Sequence, residues 1–235
     1  HKKLLAGTQK LDQIQKLVTA IRTWHYQQTL PWSDGGSRLL PMANFFDYKS
    51  ALSGFEQQFN DLVREFLVDY PTLVSAAAFQ LGELFDAAEY PDVEKLVDKF
   101  KFKYVFLPVP ESGDFRVDVG DALKAELSEQ FSKFYDNKLS EAMNDIWSRL
   151  HETLTHMSNK LAGQEKQIFR DSLVDNAVEL CDLLRRLNVT NDPKLENARK
   201  QLEGAMVGVT ANELRNDDSL RLDTKAKVDQ ILNMF

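Results

Sequence analysis

Apolar residues recur at helical spacing through most of the chain. The first stripe predicts an amphipathic helix over residues 8–30 and consists of Leu11, Ile14, Val18 and Ile21. The second predicts a helix over residues 43–70 and consists of Leu52, Phe55, Phe59, Leu62 and Phe66. Pro31 and Pro71 follow these segments, and proline breaks or kinks a helix. The more uniformly apolar residues 73–85 predict a helix that is buried on most sides.

Residues 121–162 contain neither proline nor glycine and predict one long helix. At 1.5 Å per residue it would be about 63 Å long, well beyond the radius of gyration of about 17–18 Å expected for a compact chain of this length. We therefore expect an elongated molecule. A further stripe over residues 165–187 predicts a partner helix, and the two helices should form an antiparallel hairpin.

Helix-start signals mark the C-terminal region. Asp192-Pro193 is typical of an N-cap and first turn, and it predicts a helix that ends near Met206. Thr210 and Glu213 have the spacing of a capping box. The last predicted helix covers residues 224–234.

The period changes to two in the middle of the chain. Lysines alternate with aromatic residues over residues 99–106, and apolar residues alternate again over residues 115–119. This pattern predicts two strands, joined as an antiparallel hairpin. We expect the rings of this hairpin to lie in the core and its lysines in water.

The predicted fold is therefore mostly α: an elongated antiparallel helical bundle, or coiled-coil-like hairpin, with a small inserted β-hairpin. Four segments are expected to form one continuous domain: an N-terminal helical segment (1–90), a short helix and β-hairpin (91–119), a long helical hairpin (120–190) and small C-terminal helices (191–235).

Charge and composition exclude several function classes. The 235 residues carry a formal net charge of −7, which has the wrong sign for a protein that coats DNA. No apolar run approaches the roughly 18 residues of a membrane helix. Cys181 is the one cysteine, which fits a reducing cytoplasm and excludes an internal disulfide.

No catalytic, cofactor-binding or metal-binding residue is predicted. His151 and His156 are five residues apart, whereas two histidines on one helix share a zinc ion at a spacing of four. Cys181 adjoins an apolar stripe, so we expect it to be buried and structural. No glycine-rich phosphate loop or nucleophile elbow is present. We expect a protein that is not an enzyme and uses no cofactor.

Two surfaces are candidates for binding a partner. The first is the loop 31–37 and its flank, with Trp32, Asp34 and Arg38; Trp32 could equally plug the end of a bundle. The second would bind single-stranded nucleic acid, with lysines on phosphates and aromatic rings under bases. Its candidate residues are Lys99, Lys101, Lys103, Lys10 and Lys16. The favoured interpretation is a solvated strand face for Lys99, Lys101 and Lys103 and a solvated helix face for Lys10 and Lys16.

Several segments between residues 30 and 120 resemble uncharacterised proteins of tailed bacteriophages, some of them encoded near MoxR-type AAA+ ATPases. They are Pro31-Trp32-Ser33-Asp34-Gly35-Gly36-Ser37-Arg38-Leu39-Leu40-Pro41, residues 66–70, Tyr90-Pro91, residues 100–108 and residues 113–117, with a weaker echo in residues 214–235. The resemblance implies a viral protein of the bacterial cytoplasm that acts through other proteins. The expected partner is a host defence complex or a phage ATPase, and unpaired apolar seams would favour a homo-oligomer.

Overall fold

The computed structural model describes residues 4–5, 8–110, 121–162 and 171–235. Within these residues the chain forms eight α-helices and one two-stranded antiparallel sheet, so the predicted mostly α class with a small β-hairpin is confirmed. The helices are α1 (Gln9–Gln28), α2 (Phe45–Leu81), α3 (Val93–Val97), α4 (Asp121–Leu161), α5 (Ser172–Leu187), α6 (Pro193–Met206), α7 (Ala211–Asn216) and α8 (Asp218–Leu232). The strands are β1 (Leu30–Pro31) and β2 (Arg38–Leu39).

The chain divides into two compact units. Unit 1 consists of His1–Gln27 and Phe46–Val109, and unit 2 consists of Gln28–Phe45 and Pro110–Phe235. This division does not follow the four segments that were expected from the sequence, and those segments stay a prediction.

Unit 2 is built around α4. Its stripe is buried against α5, α8 and β1, α6 packs on α5 and α8, and the fully buried members of the stripe include Ile146, Leu150 and Leu154. Trp147 of α4 donates its indole N–H to Asp192, beyond the C-terminal end of α5 (3.2 Å). The N-terminal end of α5 instead lies beside residues 153–157. The two helices therefore run antiparallel, as the predicted helical hairpin requires.

The capping signals of unit 2 act as predicted. The Asp192 carboxylate accepts the backbone N–H groups of Lys194 and Leu195 at the start of α6. Thr210 and Glu213 form the reciprocal capping box of α7. Because Asp217 also accepts a backbone N–H, α8 begins at Asp218, six residues before the predicted start.

Unit 1 packs α1 and an extended segment onto α2. Trp24 of α1 stacks on Tyr48 of α2, with ring centroids 4.7 Å apart, while Lys10 lies beside Glu65 and Asp69. The two helices are therefore antiparallel. The core of this unit is mostly aromatic and contains Ile14, Phe59, Val63, Phe66 and Tyr70.

The strand that was predicted over residues 99–106 is absent. Residues 101–110 contain no strand, and the sheet lies at β1 and β2 instead; the predicted second strand, 115–119, lies outside the described residues. The expected burial of the rings holds for Phe100 and Phe102, which pack on Phe66 and Phe59 of α2, whereas Tyr104 and Phe106 are exposed. An extended backbone alternates its side chains with or without a paired strand, so a period of two reports extension rather than a sheet.

The prediction for residues 73–85 is also wrong. The helix continues through Pro71 to Leu81, and Phe79 and Leu84 are exposed, whereas Ala77 is buried. A proline removes one backbone N–H, and a helix that is held by packing on both sides of it can tolerate that loss. Apolar composition indicates what a segment could bury, but burial depends on whether other elements cover it.

Candidate functional site

The predicted partner-binding residues all lie on the β1–β2 hairpin of unit 2. Leu30 is fully buried in the core of this unit and anchors the hairpin on α4. The Trp32 ring meets the Tyr135 ring of α4 edge to face, with centroids 5.4 Å apart. Trp32 is half-buried against a helix of its own unit. This position favours a packing role for Trp32 over a role in binding a partner.

Arg38 has a structural position in the same hairpin. Its guanidinium donates to the Thr29 hydroxyl (2.8 Å) and to the Thr29 carbonyl (2.9 Å). Arg149 of α4 donates to the same carbonyl at 2.9 Å, so the two arginines hold the start of the hairpin in place. Both donors satisfy a backbone carbonyl at the point where the chain enters β1.

Asp34 differs from both neighbours because its side chain is fully exposed. Its carboxylate lies 3.9 Å from the Lys138 ammonium, which also contacts Glu141 at 2.8 Å. The structure thus brings the three sequence candidates together, and of these Asp34 points into solvent.

The predicted nucleic-acid residues are spread over two elements of unit 1. Lys10 on α1 contacts Glu65 and Asp69 at 3.1 Å each, and hydrogen bonds to these carboxylates raise the pKa of its ammonium. Lys16 lies on the exposed side of the same helix. Lys10 is therefore committed to carboxylates of its own unit.

The extended segment carries the remaining lysines. Lys99, Lys101 and Lys103 are exposed, and Lys101 lies 3.7 Å from Asp98. The rings between them, Phe100 and Phe102, face α2. Bases could not stack on rings that pack against the protein, so this arrangement favours the solvated-face interpretation.

A buried arginine of α6 pairs with two glutamates of its own helix, and its carbonyl contacts α5. Arg199 is 4% exposed and donates twice to Glu196, at 2.8 and 2.9 Å, and once to Glu203 at 2.9 Å. Hydrogen bonds from Arg199 lower the pKa of Glu196 to about 2. Cys181 donates its S–H to the Arg199 carbonyl (3.8 Å), and burial raises the pKa of its thiol to about 11. The expected buried position of Cys181 is confirmed, and a thiol with this pKa is a poor nucleophile at neutral pH.

The described part of the chain has little to hold a small ligand or a metal. A cleft of about 220 Å³ between α4 and α5 is lined by Glu152, Thr153, His156, Met157, Leu173 and Asn176. In residues 4–5, 8–110, 121–162 and 171–235, no group of three or more His, Cys, Asp or Glu side chains is placed to bind a metal ion. The same ranges contain no helix that is both long enough and apolar enough to cross a membrane.

The C-terminal end of α2, the turns after it and α3 carry exposed apolar and acidic residues that the sequence analysis missed. We name this stretch, residues 79–98, the acidic–apolar surface, and its members are Phe79, Leu84 and Val97, with Glu83, Asp86, Glu89, Asp92, Glu94 and Asp98. The three apolar side chains are 92%, 68% and 52% exposed. All six acidic residues are exposed as well.

Local contacts hold the backbone of this surface. Phe85 stacks on Tyr90 with ring centroids 5.0 Å apart, and the Tyr90 hydroxyl donates to the Leu4 carbonyl at 2.9 Å. The Asp86 carboxylate accepts the backbone N–H of Ala88 at 2.9 Å. Val93 and Leu96 of α3 pack on the aromatic core. The exposed apolar residues therefore belong to a packed part of the unit.

One sequence signal could have identified this surface. Acidic residues recur every third position from Glu83 to Asp92, directly after the apolar run. Such a density of charge opposes burial, because an ionised carboxylate loses hydration in a core. The apolar run by itself predicts a buried helix, whereas the adjoining carboxylates predict an exposed segment.

Comparisons with known proteins identify no relative. No family model matches the sequence, no curated protein matches it, and no solved structure matches the fold.

Proposed function

We propose that the protein is a non-enzymatic interaction protein that binds another protein through unit 1. The observation that carries the proposal is the number of large apolar side chains that unit 1 exposes. Eleven are exposed among its described residues: Tyr26, Phe46, Val68, Phe79, Leu84, Val97, Tyr104, Val105, Phe106, Leu107 and Val109. Exposed apolar surface in this amount is typical of proteins that bind other proteins.

The outer face of α2 supports the same proposal. Phe46, Val68 and Phe79 are separated by multiples of eleven residues, which is close to three helical turns per step. All three are therefore near one face of α2, and each is more than 70% exposed. A helix that displays aromatic and branched side chains to water on one face gains free energy when a partner covers that face.

The resemblance to phage proteins supplies the biological setting of the proposal. In that setting the protein is a phage-encoded adaptor in the host cytoplasm, and its partner is a host defence complex or a phage AAA+ ATPase. The half-buried Trp32 and the clamped Arg38 make the hairpin of unit 2 the weaker candidate surface.

The test is an affinity purification of the tagged full chain from lysates of the cells that produce it, with and without nuclease. We expect a stoichiometric protein partner that remains after nuclease treatment and after a wash at about 0.5 M salt, where exposed charge pairs are screened. Recovery that disappears with nuclease, and that Lys99→Glu, Lys101→Glu and Lys103→Glu together abolish, would replace this proposal with nucleic-acid binding.

A further inference from the structure

We propose that the acidic–apolar surface binds a basic amphipathic helix of a partner protein. This inference rests on the proposed function and names the chemistry of the partner. Its basis is the combination of exposed apolar residues and predominantly negative charge within residues 79–98, all of which belong to unit 1.

The apolar residues provide the anchors. Phe79 lies in the last turns of α2, Leu84 in the 3₁₀ turn Gly82–Leu84 that follows, and Val97 at the end of α3. Their side chains are exposed while the backbone that carries them is packed through Tyr90, Val93 and Leu96. Anchors on a preorganised backbone bind with little loss of conformational entropy.

The charge selects the partner. Residues 79–98 contain six carboxylates and one ammonium, that of Lys95, so their formal net charge is −5. Lys95 lies 3.4 Å from Asp92, and Lys101, just beyond this range, lies 3.7 Å from Asp98, so two of the six carboxylates are paired with lysines. A negative rim speeds the approach of cationic partners and repels anionic ones.

Complementarity therefore decides between the possible occupants. A second copy of this chain would bring a charge of −5 against −5, and nucleic acid or an anionic lipid surface would be repelled in the same way. A merely basic, extended segment would leave Phe79 and Leu84 in water. A helix with lysine or arginine on its flanks and an apolar stripe satisfies both features.

The probe for the test is a labelled peptide of about 18 residues made of leucine and lysine, with leucine at i, i+3, i+4 and i+7, long enough to be helical when bound. Two comparison peptides replace every lysine with glutamate or scramble the order. Fluorescence anisotropy with the full-length protein measures each affinity at low and high salt. We expect binding of the first peptide and little binding of the other two.

Matched variants assign the binding to the surface. Phe79→Ser and Leu84→Ser should each weaken the affinity at least about tenfold, and the loss should persist at high salt because no charge has changed. Glu83→Lys and Glu94→Lys should weaken it mainly at low salt. The controls are Leu222→Ser and Glu179→Lys, which alter exposed residues of unit 2 and should leave the affinity unchanged. Circular dichroism verifies that each variant is folded.

Four outcomes would overturn the inference: absence of binding, equal binding of the glutamate peptide, equal losses in the unit 2 controls, or a dimer that Phe79→Ser dissociates in sedimentation. The last outcome would make a second copy the occupant. A partner from the lysate purification whose capture survives Phe79→Ser and Glu83→Lys would leave the proposed function standing and reject this surface.

Discussion

The two units of this protein bury their apolar side chains to different extents. Among the described residues, unit 2 buries twenty-four apolar side chains in one cluster, and they come from five helices, β1 and the turn between α6 and α7. Unit 1 buries eight, and seven of these belong to α2. In unit 2 the apolar seam of α4 meets partners of its own chain, and eight large apolar side chains are exposed among the described residues, whereas unit 1 exposes eleven and buries only eight. A partner is therefore expected at unit 1, since that unit has apolar surface still to bury.

The same contrast holds for ion pairs. Two cations that each contact two carboxylates can be compared: Arg199 with Glu196 and Glu203 in unit 2, and Lys10 with Glu65 and Asp69 in unit 1. The Arg199 side chain is 5% exposed and the Lys10 side chain 32%. Water competes much more strongly for the Lys10 ion pairs than for those of Arg199. Although the N–O distances are similar, the Arg199 ion pairs should therefore stabilise the fold more.

The largest expected effect concerns the core of unit 2. Leu150→Ala should lower the free energy of unfolding by about 2–5 kcal/mol, because Leu150 is fully buried and the truncation leaves a cavity. Leu123→Ala on the same helix is the control, and its cost should stay below about 0.5 kcal/mol, because Leu123 is exposed. Urea unfolding followed by circular dichroism measures both. Similar costs for the two variants would contradict the comparison, since they would mean that α4 is not held by its stripe.

The second prediction concerns acid sensitivity. The pKa of Glu196 is about 2 in the folded protein, below the ordinary value of 4.5 that applies to the unfolded chain, so its ion pair stabilises fully above about pH 4.5 and is lost as the pH falls towards 2. Arg199→Met removes this contribution and should make stability fall less steeply between about pH 6 and about pH 3. The difference should be about 1–2 kcal/mol, since the Glu196 carboxylate is partly exposed.

Unfolding midpoints in urea at the two pH values measure this difference. The matched control is Arg185→Met, which removes an exposed arginine 3.3 Å from Glu203 and should keep the steepness of the unaltered protein. If Arg199→Met loses as much stability in acid as the unaltered protein does, the lowered pKa of Glu196 does not depend on the buried arginine.

The third prediction compares two N-caps. Thr210→Ala should cost about 1 kcal/mol, because its side chain accepts the backbone N–H of Glu213 and completes a capping box in unit 2. Asp92 occupies the same position before α3 in unit 1, but its side chain accepts no capping hydrogen bond. Asp92→Ala should therefore cost less than about 0.5 kcal/mol. Thermal unfolding measures the stability of both variants, and Thr210→Ser should retain the stability that Thr210→Ala loses. Equal costs for Thr210→Ala and Asp92→Ala would contradict the expected difference between the two N-caps.

Features that depend on local sequence were predictable. Asp192 and Thr210 cap helices in the way that their neighbours imply, and the stripe of α4 is continuous through Leu150 and Leu154. Each of these signals involves residues within a few turns of one another. The mostly α class followed from such signals alone.

Features that depend on distant residues were not predictable. Whether residues 99–106 pair in a sheet or lie on α2 depends on which surface the rings meet, and Phe100 meets Phe66, more than thirty residues away. Whether Phe79 is buried depends likewise on a covering element. Their closeness in the sequence was enough to group Trp32, Asp34 and Arg38. The sequence does not show the hydrogen bonds from Arg38 to Thr29, which give Arg38 a structural role.

The smallest expected effect is at Lys10. Lys10→Gln should shift the midpoint of thermal unfolding by less than about 2 °C at moderate salt, because water and ions screen exposed pairs. The carboxylates raise the pKa of this ammonium, so its contribution is complete at neutral pH and is lost only in alkali. Lys16→Gln on the same helix is the control for loss of a positive charge. A much larger shift for Lys10→Gln alone would mean that electrostatics, rather than its small aromatic core, keeps α1 on α2; unit 1 would then have less need of a partner to cover its apolar residues.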